Sequence, residues 1–137
     1  MTSTVRMLPK RIEYSIRALV VLAGSAPQTV KAQDVADAQD IPPGYLYDLL
    51  ADLRRADLVQ VQRGTGGGYA LAHPPASLTL GEIVRRLDGP GQDPPADHDL
   101  PVDRAIERLH HLWDRANRVR LDYLDAVTLA DLINHSR

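Results

Sequence analysis

The hydrophobic residues of this chain recur every three to four positions over long stretches and alternate with polar residues in one short stretch. Helical spacing predicts amphipathic helices, whereas alternation predicts a half-buried strand. The predicted helices cover about residues 9–24, 32–39, 43–56, 80–87 and 102–127, with a final capped turn at 128–132. Residues 58–62 alternate, a glycine-rich turn follows at 63–68, and residues 69–72 return as the second strand of a hairpin. The pattern therefore predicts a mainly α fold with a small β-hairpin.

The third predicted helix and the hairpin are neighbours in the chain. The leucines of this helix would face the core, namely Leu46, Leu49, Leu50 and Leu53. A short helix followed by a hairpin with an arginine at its tip, here Arg63, is typical of a winged helix-turn-helix that binds DNA. We therefore predict a winged helix-turn-helix DNA-binding domain at 1–87, a proline- and glycine-rich linker loop at 88–101, and a dimerisation helix with a C-terminal turn at 102–137.

Composition narrows the class of protein. The chain has 137 residues, of which 44% are hydrophobic and 25% charged, with a net charge of −2. No apolar run approaches the ~20 residues that a membrane helix needs, and the N-terminus lacks the apolar segment of a secretory signal. We therefore expect a cytoplasmic protein without a membrane partner. The chain has no cysteine, which excludes disulfides, thiolate zinc sites and a cysteine-ligated iron–sulfur cluster.

An enzyme is not expected. The glycine-rich segment at 64–68 superficially resembles a phosphate-binding loop, but no Gly-Lys-Ser/Thr follows it and it lies between two strands. No serine, histidine and carboxylate group stands at a recognisable catalytic spacing. The sequence therefore predicts neither a catalytic site nor a cofactor.

The recognition helix and the hairpin tip carry the predicted DNA contacts. Tyr47 and Asp48 would meet base edges, where Asp48 would accept a hydrogen bond from a cytosine amino group. The first-turn amides of Gly44 and Tyr45 would bind a phosphate. Arg63 would enter the minor groove, and the glycines after it, which show no evident folding purpose, would let the backbone approach. The predicted DNA-contacting residues are Lys10, Arg11, Pro43, Gly44, Tyr45, Tyr47, Asp48, Arg55, Arg63, Gly64, Thr65, Gly66 and Gly67.

The basic residues of the first helix have two interpretations. Lys10, Arg11 and Arg17 would contact phosphates, or they would only solvate the start of the helix. The sequence does not separate the two, because phosphate contacts need nothing more specific than a nearby cation.

The last long helix carries three apolar rows, which form a stripe wide enough for two contacts at once. At ~1.5 Å per residue this helix would be ~39 Å long. It would either pack only on its own domain or pair with its copy in a homodimer, and its length favours the homodimer. The predicted dimer contacts are Ile106, Leu109, Leu112, Trp113, Ala116, Val119 and Tyr123.

Several motifs follow one another in a characteristic order over nearly the whole chain. They are EYSIRAL at 13–19, IPPGYL at 41–46, LRRADLV at 53–59, RGTGGGY at 63–69, LW at 112–113 and TLADL at 128–132. In this order they resemble the Rrf-two family of bacterial transcription regulators, and the RGTGGGY motif of the wing is the most specific of them.

The resemblance implies a homodimer with an N-terminal winged helix-turn-helix, a long dimerisation helix, and sequence-specific binding to a roughly palindromic operator. We expect repression as the output, because RNA polymerase would compete for such sites, and activation stays open as the alternative. Many members hold a sensing cluster with cysteines in the linker, and this chain has none. His110 matches a histidine that ligates the cluster in one member, and Glu107 stands at that member's last cysteine. Tyr47 and Asp48 differ from the family's usual residues, so a different base preference is implied.

Two alternatives stay open beside a DNA-binding regulator. A metal-responsive regulator would use oxygen and nitrogen ligands suited to zinc, iron or manganese. Its candidate ligands are Asp93, Asp97, His98, Asp99, Glu107, His110 and His111. The linker shows no ligand pair at a fixed helical spacing, so we predict no metal site. The other alternative is a winged helix used only for protein contacts. An unidentified small-molecule effector is also left open.

Overall fold

The computed structural model describes residues 8–88 and 101–134, which form six α-helices and one two-stranded antiparallel hairpin. The mainly α fold with a small hairpin agrees with the prediction. A 3₁₀ turn at Pro75–Ser77 precedes the fourth helix and has no counterpart in the predicted elements. In chain order the elements are α1 (Lys10–Ser25), α2 (Ala32–Gln39), α3 (Pro43–Arg55), β1 (Val59–Gln62), β2 (Gly68–Leu71), α4 (Leu80–Leu87), α5 (Arg104–Leu124) and α6 (Leu129–Asn134).

Helices α1, α2 and α3 pack around one hydrophobic core. The four leucines predicted to face inward from α3, Leu46, Leu49, Leu50 and Leu53, are all buried, and Leu19 of α1 is buried with them. Their spacing places them on one side of a 3.6-residue repeat, so burying them leaves the opposite side of α3 to solvent. This packing fixes which face of α3 is available to a ligand.

The predicted and observed helix boundaries agree for α2 and differ for α5. Helix α2 covers the predicted residues 32–39. Helix α5 is shorter than the predicted 102–127, and its 21 residues span ~32 Å. It begins after Asp103, whose carboxylate accepts a hydrogen bond from Ile106 N at 3.0 Å and so caps the first turn.

Threonine caps begin both α4 and α6. Thr79 Oγ1 accepts a hydrogen bond from Glu82 N at 3.0 Å, which is one half of a capping box, while the Glu82 side chain pairs with Arg86. Before α6, Thr128 N donates to Asp131 Oδ2 and Asp131 N donates to Thr128 Oγ1, both at 3.0 Å. These two reciprocal hydrogen bonds satisfy two backbone N–H groups at the start of a very short helix.

The hairpin is held against the helices by a third short segment. Strands β1 and β2 pair from Val59 opposite Leu71 to Gln62 opposite Gly68. Val30, in the loop between α1 and α2, exchanges two backbone hydrogen bonds with Tyr69, each 2.8 Å long. The base of the wing is therefore fixed to the helical core.

The C-terminal helix α6 packs in the same core as the predicted DNA-binding domain. Leu129 is fully buried, and its amide donates to Leu78 O at 2.8 Å. Leu80 N donates to Val127 O at the same distance, and α6 packs against α1. The predicted division at residues 88 and 101 did not anticipate this return of the chain.

The predicted linker lies almost wholly outside the described residues, as do the first seven and last three residues of the chain. Among the helices at 8–88 and 101–134, none is long and apolar enough to cross a membrane.

Replacing Ser15 with alanine is expected to raise the free energy of unfolding by about 1 kcal/mol. The Ser15 hydroxyl is fully buried in α1 and has no hydrogen-bond partner among the described residues. Alanine removes this unsatisfied group and has a higher helix propensity. Urea unfolding at one protein concentration measures the change. The contrasting variant Thr79→Ala, which removes a cap, should lower the same free energy by about 1 kcal/mol. A destabilised Ser15→Ala protein would contradict the expectation.

Candidate nucleic-acid interface

The solvent side of α3 presents the two residues predicted to meet base edges. Tyr47 is 60% exposed although it is a large aromatic residue, and Asp48 beside it is also exposed. Arg55 extends the same side at the C-terminal end of the helix, where it is exposed and pairs with Asp52. An exposed tyrosine and carboxylate on a helix held by its opposite face form a surface that can enter a DNA groove.

The N-terminus of α3 offers free backbone donors. Leu46 N donates the first intrahelical hydrogen bond, to Pro42 O at 2.9 Å. The amides of Gly44 and Tyr45 precede that bond, and Pro43 has no amide hydrogen. Gly44 and Pro43 are exposed. Such a helix start can bind a phosphate through its amides and the helix dipole.

The side chain of Tyr45 does not face solvent, although Tyr45 is among the predicted DNA-contacting residues. It is half-buried, and its ring meets the ring of Tyr14 edge-on, with centroids 5.3 Å apart and planes at 67°. The side chain turns inward because α1 lies beside the start of α3 and offers an aromatic partner. Only the amide of Tyr45 stays in the candidate interface.

Arg63 occupies the loop that joins β1 to β2 and is exposed. It makes no hydrogen bond or ion pair with any other residue that the structure describes. Gly64, Thr65 and Gly66 are exposed beside it. The tip of the wing therefore presents a free guanidinium to solvent.

The glycines of the wing have a folding purpose that the sequence did not reveal. A Cβ atom on Gly67 would lie 2.2 Å from Gln62 O, and one on Gly68 would lie 2.7 Å from Val30 O. These distances are far shorter than any van der Waals contact, so both positions need glycine for the hairpin to close. The expectation that the glycines serve only the approach to DNA is therefore wrong for Gly67 and Gly68. What supports a DNA contact by Arg63 is its exposure at the wing tip.

Two of the three basic residues of α1 form hydrogen bonds with other residues of the protein. Arg11 donates to Leu87 O at 3.0 Å and to Asp52 Oδ2 at 3.3 Å. Arg17 donates to Glu13 at 2.7 and 2.9 Å and to Gln39 at 2.9 Å. Lys10 is exposed at the start of the helix. We therefore retain Lys10 and no longer include Arg11 and Arg17 among the phosphate contacts.

Lys31 is a candidate contact that sequence reasoning missed. It is exposed directly before α2, where its side chain caps nothing. An open cavity of about 580 Å³ beside it is lined also by Gly66 and Gly67 of the wing tip. A lysine, the first turn of α2 and the wing backbone thus meet at one place. The signal in the sequence was a lysine before a helix that lacks a capping residue.

The predicted dimer face of α5 is exposed within the protomer. Trp113 is 67% exposed and Tyr123 is 78% exposed, and no residue of α5 is buried. Among the hydrophobic residues of α5, Leu121 and Leu124 near its C-terminal end pack against the described core. The remaining predicted residues are exposed except for the half-buried Ile106, namely Leu109, Leu112, Ala116 and Val119. The alternative in which this face packs on its own domain is therefore not what the described residues show.

The candidate metal ligands do not converge within the described residues. Glu107, His110 and His111 are exposed on α5, and residues 8–88 and 101–134 contain no group of three His, Cys, Asp or Glu that could hold a metal ion. Asp93, Asp97, His98 and Asp99 lie outside the described residues, so the prediction about them remains untested.

Comparisons with known proteins agree on one class. Residues 8–135 match the Rrf2 (Rrf-two) family, described as "Iron-dependent Transcriptional regulator". The chain is 38% identical over 125 residues to a Mycobacterium tuberculosis H37Rv protein named HTH-type transcriptional regulator Rv1287, covering 89% of this chain and 78% of that one. It is 32% identical over 127 residues to the HTH-type transcriptional regulator CymR of Bacillus subtilis, covering 90% and 86%.

The family description names iron, and the donor set of this chain tests whether an iron–sulfur cluster fits. Such clusters are held by cysteine thiolates, with histidine as an occasional replacement. The chain contains no cysteine. Glu107 and His110, at the positions that resemble cluster ligands, are oxygen and nitrogen donors exposed on one helix. The residues present do not fit a cysteine-ligated cluster.

Solved structures show the same architecture. The T. potens IscR structure superposes with a TM-score of 0.77 at 28% identity, covering 96% of this chain and 89% of that one. The structure of CymR, the global cysteine regulator of B. subtilis, superposes with a TM-score of 0.72 at 27% identity, covering 97% of this chain and 100% of that one. The exposed side of α3 and the hairpin described above lie in this shared fold. The chain therefore belongs to the Rrf2 family of helix-turn-helix DNA-binding transcription regulators, which are not enzymes.

Proposed function

We propose that this protein is a homodimeric repressor that binds a roughly palindromic operator without a cysteine-ligated cluster. Helix α3 of each copy enters a major groove, and each wing places Arg63 in the adjacent minor groove. The apolar face of α5 pairs the two copies. The observation that carries the proposal is the simultaneous exposure of the α3 surface, the wing arginine and the α5 face in one protomer.

The contacts with bases come from the middle of α3. Asp48 is an acceptor, so it pairs with the amino group of a cytosine in the major groove and disfavours positions that offer only acceptors. Tyr47 is exposed one residue before it and supplies a hydroxyl and an aromatic ring. Because neither residue is the family's usual one, the operator differs from those of relatives that carry other residues here.

Backbone phosphates bind at several points around this helix. The amides of Gly44 and Tyr45, the ammonium groups of Lys10 and Lys31, and the wing backbone are the donors that support this part of the proposal. The formal net charge of the whole chain is −2, so non-specific attraction to DNA is weak. Local donors then account for most of the attraction to phosphate.

Pairing through α5 is supported by what the helix leaves uncovered. Apolar side chains as large as Trp113 and Tyr123 are costly to leave in water, and they stand on one side of a helix with no buried residue. A second copy offers the same face, which a two-fold axis makes self-complementary. Two copies then present two α3 helices to successive major grooves of one duplex.

The output is repression, since a protein that covers a promoter excludes RNA polymerase. The signal that relieves repression is not a thiolate-bound cluster, because the chain has no cysteine. A small-molecule effector that binds at a surface other than the proposed DNA-binding and dimer surfaces is consistent with the fold.

Capture of fragmented genomic DNA by the purified protein, followed by sequencing, tests this function. The expected result is a set of fragments that share two inverted half-sites about one helical turn, ~34–36 Å, apart. Titration of such a fragment at several salt concentrations should then give a steep negative slope of log affinity against log salt. Binding without inverted half-sites, or no salt-dependent DNA binding, would contradict the proposal and favour a winged helix used for protein contacts.

A further inference from the structure

We propose that Arg85 and Arg86 of α4 are positioning residues that set the distance between the two recognition helices in the dimer. Arg85 holds the end of the dimerisation helix α5, and Arg86 holds the end of the recognition helix α3. The inference rests on the proposed homodimer and adds to it a determinant of half-site spacing.

Arg85 forms an ion pair at the C-terminal end of α5. Its two terminal nitrogens donate to both carboxylate oxygens of Asp125, at 2.6 and 2.9 Å. A bidentate pair of this kind restricts orientation as well as distance. Asp125 also lies close against α4, since a Cβ atom on Gly81 would be 1.9 Å from Asp125 Oδ1 and 2.9 Å from Leu121 O. Glycine at this position lets the last turn of α5 approach near enough for the pair to form.

Arg86 reaches from the same helix in another direction. Its Nη1 donates to Ala56 O at 3.1 Å and to Asp57 O at 3.3 Å, directly after α3. Its Nε donates to Glu82 at 2.8 Å, which holds the side chain in place. Neighbouring arginines of one short helix therefore contact the ends of the two helices whose mutual angle matters for DNA binding.

The hydrophobic packing of α5 on the described core is confined to the C-terminal end of the helix. No residue of α5 is buried, and the residues that pack on the core, Leu121 and Leu124, stand beside Asp125. The helix is ~32 Å long, so a tilt of ~10° at this end moves the other end by ~5–6 Å. That displacement exceeds the ~3.4 Å rise of one base pair. A small change in the geometry of the Arg85–Asp125 contact would therefore move the far end of α5 by more than the rise of one base pair.

Arg85 and Asp125 are both charged near neutral pH. The hydrogen bonds from Arg85 lower the pKa of Asp125 below its ordinary value, with a smaller contribution from Thr79, and the same pair raises the pKa of Arg85. A carboxylate with a lowered pKa contributes stability above its unfolded-state pKa and loses it as the pH falls through the folded-state value. Both groups are thus ionised wherever DNA binding would be measured.

Operators with varied spacing between the two half-sites test the inference. The variants are Arg85→Met, Asp125→Asn and the double variant, and Arg118→Met is the matched control. Arg118 is an exposed arginine of α5 without an ion pair to any described residue. We expect the wild-type protein and the control to prefer the best spacing over one two base pairs longer by ~10-fold or more, because dimer geometry fixes half-site separation. Each single variant should reduce that preference to ~3-fold or less. The double variant should add nothing further, since both residues belong to one contact.

A distance measurement without DNA gives a second readout. Because the chain has no cysteine, Arg54→Cys introduces a single site for a spin label on the exposed side of α3 in each copy. We expect electron–electron resonance to give a narrow distance distribution in the otherwise wild-type dimer and a broad one with Arg85→Met or Arg86→Met. Arg85→Lys, which keeps the charge but cannot form the bidentate pair, should give a distribution of intermediate width.

The outcomes separate this inference from the proposed function. An Arg85→Met dimer that keeps the wild-type spacing preference and the narrow distance distribution would overturn the inference alone. A wild-type protein that sediments as a monomer would overturn the proposed homodimer and this inference with it. A dimeric wild-type protein that binds all spacings equally would overturn the inference alone.

Discussion

Replacing Leu112 with aspartate is expected to leave a folded protein that no longer dimerises. Leu112 is exposed in the middle of α5 among the other apolar residues of the proposed dimer face, so the protomer does not need it for folding. An unpaired carboxylate enclosed between two helices costs about 3–5 kcal/mol. The dissociation constant of the dimer should therefore rise by ~100-fold or more. Sedimentation equilibrium over a range of protein concentrations measures this change.

DNA binding should fall together with dimerisation. A monomer contacts one half-site and loses the benefit of a second contact made within the same complex, which is worth ~100-fold or more. His111→Asp is the matched control, because it places the same carboxylate one residue earlier on another side of α5. The control should stay dimeric. A dimeric Leu112→Asp protein would show that the copies associate through another surface.

Replacing Arg63 with alanine is expected to weaken operator binding by about 1–3 kcal/mol, or ~5- to 150-fold. Arg63 is exposed at the wing tip and has no partner among the described residues, so its removal leaves the contacts of the fold intact. In the minor groove its guanidinium would meet the negative potential of a narrow A·T-rich segment. Fluorescence anisotropy with a labelled operator at physiological salt measures the affinity.

The neighbouring variant Gln62→Ala provides the control for Arg63. Gln62 is also exposed in the hairpin, at the last pair of β1 with β2, but carries no charge. It should bind with nearly wild-type affinity, whereas Arg63→Ala should also lower the salt slope by about one. Equal affinities of Arg63→Ala and wild type would contradict the minor-groove role of the wing.

Local periodicity explains why much of the fold could be predicted from the sequence. Helix α2 covers the predicted residues, and the leucines of α3 are buried as their spacing requires. The apolar face of α5 is also a local pattern, which the structure leaves uncovered. Each of these features depends on residues within a few turns of one another, where side-chain direction follows from the helix repeat.

Contacts between distant parts of the chain could not be predicted in this way. Arg11 was a candidate for phosphate binding, but its partners lie 41 and 76 residues away in the sequence. The side chain of Tyr45 likewise contacts the ring of Tyr14, a residue of another helix that folding brings beside it. A basic or aromatic residue on a predicted surface has no local feature that reveals a partner brought near by folding.

The amino-acid sequence by itself therefore determined the helices, the hairpin, the buried side of α3 and the apolar side of α5, since all follow from the spacing of apolar residues. It also determined that no thiolate ligand exists. Only the tertiary structure decided which cations are free, why Gly67 and Gly68 are needed, and how α6 joins the core. It alone brought Arg85 to Asp125 and Arg86 to the end of α3. Those contacts depend on the packing of separate elements, and packing is a property of three-dimensional proximity that a linear pattern does not contain.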